Sequence, residues 1–173
     1  VSDFLAYLNL EIPRGVALPL FVLSLPICVW VAWSDMRAMR IPNTTVMILT
    51  GIFLVVAPFV MPWPVMGWQL LHLVVILLVG ILLNAAGLVG AGDAKFAAAA
   101  APYIAFGDIR FLIALFAACL LAGYATHRIA KFSPLRRMAP DWESWTRKRD
   151  FPMGLPLAST LSIYLLLGAL YGA

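Results

Sequence analysis

Charge, cysteine and histidine are scarce in this chain, and each scarcity excludes something. Only 12% of its 173 residues are charged, while 64% are hydrophobic. A water-soluble domain of this size does not need that much apolar surface, so the solvent for most of the chain is lipid. The two cysteines, Cys28 and Cys119, stand apart in apolar segments with no CxxC spacing. Neither a zinc site nor a disulfide framework is indicated, and both are expected as small core residues. The two histidines, His72 and His127, have no metal-binding partner at helical spacing, so no metal and no cofactor are expected. The net charge of +4 comes from basic residues placed between apolar runs, as orientation signals are, which argues against nucleic acid as a partner. A secretory signal is a poor fit, because Asp3 and Glu11 precede the first apolar run and no small-residue cleavage site comes before Asp35. Repeats and low-complexity tails are also missing. Residues 1–173 therefore read as a single membrane-embedded domain.

What the chain has in abundance is apolar runs. A membrane span needs roughly 20 apolar residues, and Val16–Trp33, Thr44–Met61, Trp68–Ala86, Phe111–Ile129 and Leu155–Tyr171 approach that length. A shorter run, Ala94–Phe106, contains an alanine tract that favours helix and Pro102, which bends it. The expectation is an all-α polytopic membrane protein of about six transmembrane helices. With the amino terminus outside, Arg37, Arg40, Lys95, Arg128, Lys131, Arg136, Arg137, Arg147, Lys148 and Arg149 fall inside, leaving only Arg14 and Arg110 outside. Trp30, Trp33, Trp142 and Trp145 then mark the inner interface, and Trp63 and Trp68 the outer. The polar stretch 133–150 becomes an inner loop between helices five and six. Within it, Asp141 to Arg149 is expected to form a short surface helix with Trp142 and Trp145 facing the headgroups.

In this arrangement two lone acids, Asp35 and Asp93, reach the same inner face. A carboxylate where a helix meets lipid is costly and is a functional candidate for that reason. Asp93 ends the stretch Gly90-Ala91-Gly92-Asp93, whose glycines give the backbone unusual freedom and permit close approach. The run after it has thirteen residues and would reach only about 20 Å against a hydrocarbon core of about 30 Å. Asp93 is therefore expected to sit recessed, in a cavity that water enters. Asp35 closes the first apolar run and is followed by Arg37, Arg40 and Ile41-Pro42-Asn43. Pro42 presets an extended approach to the next helix, and Asn43 is a candidate cap for it. Lys95 is expected to tune Asp93 or to snorkel to the headgroups. Asn84 is expected to orient a loop, line the cavity or bond a neighbouring helix.

Asp35 with a downstream Ile-Pro-Asn, then Gly-x-Gly-Asp followed by Lys95, resembles the type IV prepilin peptidases and preflagellin peptidases. Phe151-Pro152-Met153-Gly154-Leu155-Pro156 is similar to the segment that opens that family's last helix, although Met153 stands where an aromatic is usual. The resemblance implies a membrane aspartic endopeptidase, multi-pass in the inner (cytoplasmic) membrane, with its catalytic pair at Asp35 and Asp93. Gly90, Gly92, Lys95, Pro42, Asn43, Pro152 and Gly154 would shape its site. The partner implied is a prepilin or Flp-type pilin-like precursor, cut at the cytoplasmic face to remove a basic leader. The other partner is the lipid bilayer, and a homo-oligomer is allowed. The match is to short forms, because the cysteine-rich insertion of the long bacterial forms is absent. N-methyltransferase activity is not predicted.

An aspartate pair of this kind would share one proton and activate water without a covalent intermediate. Helix dipoles favour charge on Asp93, at the start of its helix, and the neutral form of Asp35, at the end of its own. Two other readings compete. One is a presenilin-like intramembrane protease, which shares Gly-x-Gly-Asp. The other is a non-catalytic, proton-coupled membrane transport subunit, whose aspartates would carry protons.

Overall fold

The computed structural model describes residues 10–147 and 150–173, and among these it is helical with no strands. Six α-helices follow one another: α1 (Arg14–Ala38), α2 (Asn43–Val60), α3 (Trp63–Ala85), α4 (Ala91–Ala100), α5 (Ile109–Phe132) and α6 (Gly154–Tyr171). Five of them, with α5 counted from Phe106, are long and apolar enough to cross a membrane. The ten-residue α4 rises only about 15 Å and cannot cross. It ends where Pro102 enters a 3₁₀ turn, Ala101–Tyr103, and a second such turn, Phe106–Asp108, leads into α5.

Prolines set three of the helix starts. Pro13, Pro42 and Pro62 each precede a helix with φ between −66° and −62° and an extended ψ, which the pyrrolidine ring fixes in advance. Pro19 and Pro26 lie within α1 and Pro58 within α2. Such positions are tolerated in membrane helices, where neighbouring groups re-satisfy the freed carbonyls.

The core forms where α1 lies along α6, with α2 and α4 against them. Leu20, Val31, Leu49, Phe53, Phe96, Tyr103, Tyr164 and Leu165 are buried there with Cys28; Cys119 is buried on α5, and both cysteines are free thiols. Small residues let helices meet closely. A Cβ on Gly80 of α3 would lie 2.9 Å from Ala94 Cβ of α4, and one on Gly168 of α6 would lie 3.0 Å from Ala17 Cβ of α1. By contrast α3 buries only Gln69 and Gly80, and α5 only Cys119, Gly123 and His127. Most of their Leu, Val and Ile side chains are exposed, while Leu70, Leu112 and Leu115 pack against the core; an apolar outer surface is what surrounding hydrocarbon requires.

The structure corrects the expected inner loop. Between Asp141 and Arg147 there is only a 3₁₀ turn, Glu143–Trp145, rather than a helix; Lys148 and Arg149 lie outside the described residues. Trp145 is buried, not turned to the headgroups. Its ring stacks on His127 at 5.1 Å and on Trp142 at 5.6 Å, and its indole N–H donates to the Ala139 carbonyl at 2.7 Å. Phe151 packs edge-on to His127. His127 is buried within this aromatic stack.

Candidate active site

Asp35 and Asp93 line the same cavity, of about 720 Å³, at one end of the bundle. Each arrives by a short local route. The first helix continues past its apolar run to Ala38, so Asp35 lies in the last turn of α1 rather than just beyond it. Met39 closes that helix in the left-handed conformation (φ 48°), and its N–H completes a bond to the Asp35 carbonyl at 2.8 Å. Asp93 lies in the first turn of α4, and its side chain makes no capping bond.

The glycines act through space, not conformation. Gly90 has an ordinary φ of −64°. A Cβ there would fall 2.7 Å from Asp93 Oδ2, and one on Gly92 would fall 3.3 Å from Ile41 Cβ. Gly90 thus leaves room for the carboxyl of Asp93, and Gly92 lets α4 settle against the turn that follows α1. The freedom of glycine is used instead at Gly87, with φ 73°, in the turn after α3. There Asn84 Nδ2 donates to the Val89 carbonyl at 2.8 Å, so Asn84 orients the loop that precedes Gly90.

Asp35 is only 5% exposed. Its Oδ2 accepts the Gly154 N–H at 2.6 Å, from the first residue of α6. A Cβ on Gly154 would lie 2.9 Å from Asp35 Cβ and 3.0 Å from its Oδ2, so this approach requires glycine. Pro152, two residues earlier, is fully buried, and Met153 lines the cavity. The arginines that could neutralise Asp35 do not. Arg37 lies over the Trp33 ring at 5.1 Å. Among the described residues the ion pairs are those of Arg147 with Glu143 and Asp150.

Lys95 Nζ donates to Asn43 Oδ1 at 3.1 Å, and both residues line the cavity with Pro42. Asn43 is the first residue of α2 and caps nothing; Pro42 holds the cap position. The two motif segments are therefore tied side chain to side chain. Lys95 makes no ion pair with Asp93; its partner is Asn43. Burial raises the Asp93 carboxyl above its ordinary value, against the dipole at the start of α4.

One acid escaped the sequence reading. Asp108, 4% exposed, lies at the opposite end of the bundle. It accepts the Glu11 N–H at 2.8 Å, the Ile12 N–H at 3.2 Å and the Tyr164 hydroxyl at 2.7 Å. The same signal that marks Asp35, an acid bounding an apolar run, was present at Asp108. Its surroundings make it a fastener for the chain termini, because every partner is a structural donor and it shares no cavity with the other two.

The fold and this cavity define a class: a helical membrane protein with two acids gathered at one end. The family model of the type IV leader peptidase family matches residues 22–126, and the chain belongs to that family. The matched region includes Asp35, Ile41–Asn43 and Gly90–Lys95, and stops short of Gly154. It makes the chain a membrane protease. No curated protein and no solved structure matches the chain.

Proposed function

We propose that the protein is an aspartic endopeptidase that removes the leader of prepilin-like precursors, with Asp35 and Asp93 as its catalytic pair. The observation that carries this reading is the single cavity lined by both side chains, in a chain whose family cleaves type IV leaders. The inner membrane and its cytoplasmic face are the proposed location. Arg37, Arg40, Lys95, Lys131, Arg136, Arg137 and Arg147 belong to the cavity end or to the loop beside it. Arg14 and Arg110 start α1 and α5 at the other. That asymmetry supports placing the cavity on the cytoplasmic side.

In this mechanism the two carboxyls hold one proton between them. Because Asp35 Oδ2 accepts the Gly154 amide, any proton on Asp35 belongs on Oδ1. The dipole at the end of α1 and the Gly154 amide act on Asp35 in opposite senses, and two carboxyls sharing one proton titrate as one unit. The ionised carboxylate takes a proton from water as the water oxygen bonds to the scissile carbonyl carbon. The other carboxyl gives its proton to the carbonyl oxygen. As the tetrahedral species collapses, a proton passes to the nitrogen, the C–N bond breaks, and an acid and an amine leave.

The test is cleavage of a prepilin-like peptide by purified protein in nanodiscs, with products read by mass spectrometry. The wild type should cut once, at the end of the basic leader. Folded Asp35→Asn and Asp93→Asn variants should leave the peptide whole. An intact peptide with wild type, together with proton flux in proteoliposomes, would favour the transport reading.

A further inference from the structure

We propose that the substrate main chain pairs with the backbone of Ile41, in the short segment joining α1 to α2; this rests on the peptidase reading above. A peptide bond held in a helix is screened by its own turn, so a cleavable bond must be presented extended. Its freed N–H and C=O groups then need partners, above all in a site where water is limited. Met39, Arg40, Ile41 and Pro42 are non-helical and line the cavity with both aspartates.

The hydrogen bonding of this segment is one-sided. The Arg40 carbonyl accepts the Ser34 hydroxyl at 3.0 Å. Among the described residues neither the N–H nor the C=O of Ile41 has a partner, although Ile41 is only 7% exposed. Backbone groups without a partner in the protein are the ones a chain lying in the cavity can bond. Ile41 precedes a proline and is thereby restricted to extended conformations, in which successive residues direct their backbone groups to opposite edges. The carbonyl of Arg40 is taken up by the protein, and the edge of Ile41 remains for a ligand. The Ile41 side chain rests against Gly92, one residue before Asp93, which sets the depth of this edge beside the catalytic pair. Pro42 has no N–H, so the pairing ends there. One substrate residue can thus exchange two bonds with Ile41, as in an antiparallel pair.

The test uses the full chain in nanodiscs and peptides carrying single amide-to-ester replacements at successive positions around the cleavage point. Each replacement removes one N–H. The expected result is a KM raised about three- to tenfold at one position, the residue that donates to the Ile41 carbonyl, with its neighbours unaffected. A photo-crosslinker at that position should label residues 40–42 in the Asp93→Asn protein. Cleavage of the all-amide peptide with no sensitive ester, or labelling elsewhere, would overturn this inference and leave the peptidase reading intact. Failure to cleave the all-amide peptide would remove both.

Discussion

The Gly154 amide donates to Asp35 Oδ2 across 2.6 Å, joining the start of the last helix to the end of the first. A methyl group on Gly154 would meet Asp35 at 2.9 to 3.1 Å, so the carboxyl has to move. Gly154→Ala should lower kcat by about a hundredfold, the usual cost of misplacing a reacting group by about 1 Å. Peptide cleavage by the folded variant checks this, with monodispersity in detergent as the control for folding.

Lys95 and Asn43 tie the two motif segments together. Lys95→Met removes that bond and should reduce kcat several-fold, about the effect of one lost hydrogen bond to a charged group. Asn43→Asp offers Lys95 a carboxylate and should retain most activity. Steady-state kinetics on the two variants separates a positioning role from simple damage to the fold.

Asp108 provides a contrast. Removing its carboxyl in Asp108→Ala leaves two backbone donors and the Tyr164 O–H without their acceptor, and should cost about 2–5 kcal/mol of stability. Thermal unfolding in detergent should show the loss, while the protein that remains folded keeps its kcat.

The pH profile should carry the mark of burial at Asp93. A raised carboxyl keeps its proton to higher pH. As pH falls through that value the pair becomes doubly protonated and no base remains for water. The acid limb of kcat/KM should therefore lie above about 3.9, the ordinary aspartate value. A profile still flat at and below that value would count against Asp93 as part of the base.

The five long helices were legible because a lipid-facing helix needs little beyond an apolar run, and those runs show directly in the chain. The ends were less so: α1 outlasts its apolar residues to Ala38, which draws Asp35 into the helix. Pairing of the two aspartates followed from charge asymmetry and motif resemblance, since both place them at one end. The Gly154 contact could not be read, because its partners are 119 positions apart and no local pattern encodes a main-chain donor. Trp142 and Trp145 misled for a related reason. Their spacing suited a surface helix, but His127, from α5, supplied the face on which Trp145 stacks, and Trp142 stacks on Trp145 in turn.

The central claim is that Asp35 and Asp93 work as one unit on one water. A double-mutant cycle of Asp35→Asn and Asp93→Asn, read as single-turnover cleavage of a prepilin-like peptide, tests it most directly. Groups that act together are grossly non-additive, so each single variant should lose as much as the double. Substantial cleavage by either single variant, or two losses that multiply in the double, would contradict the account.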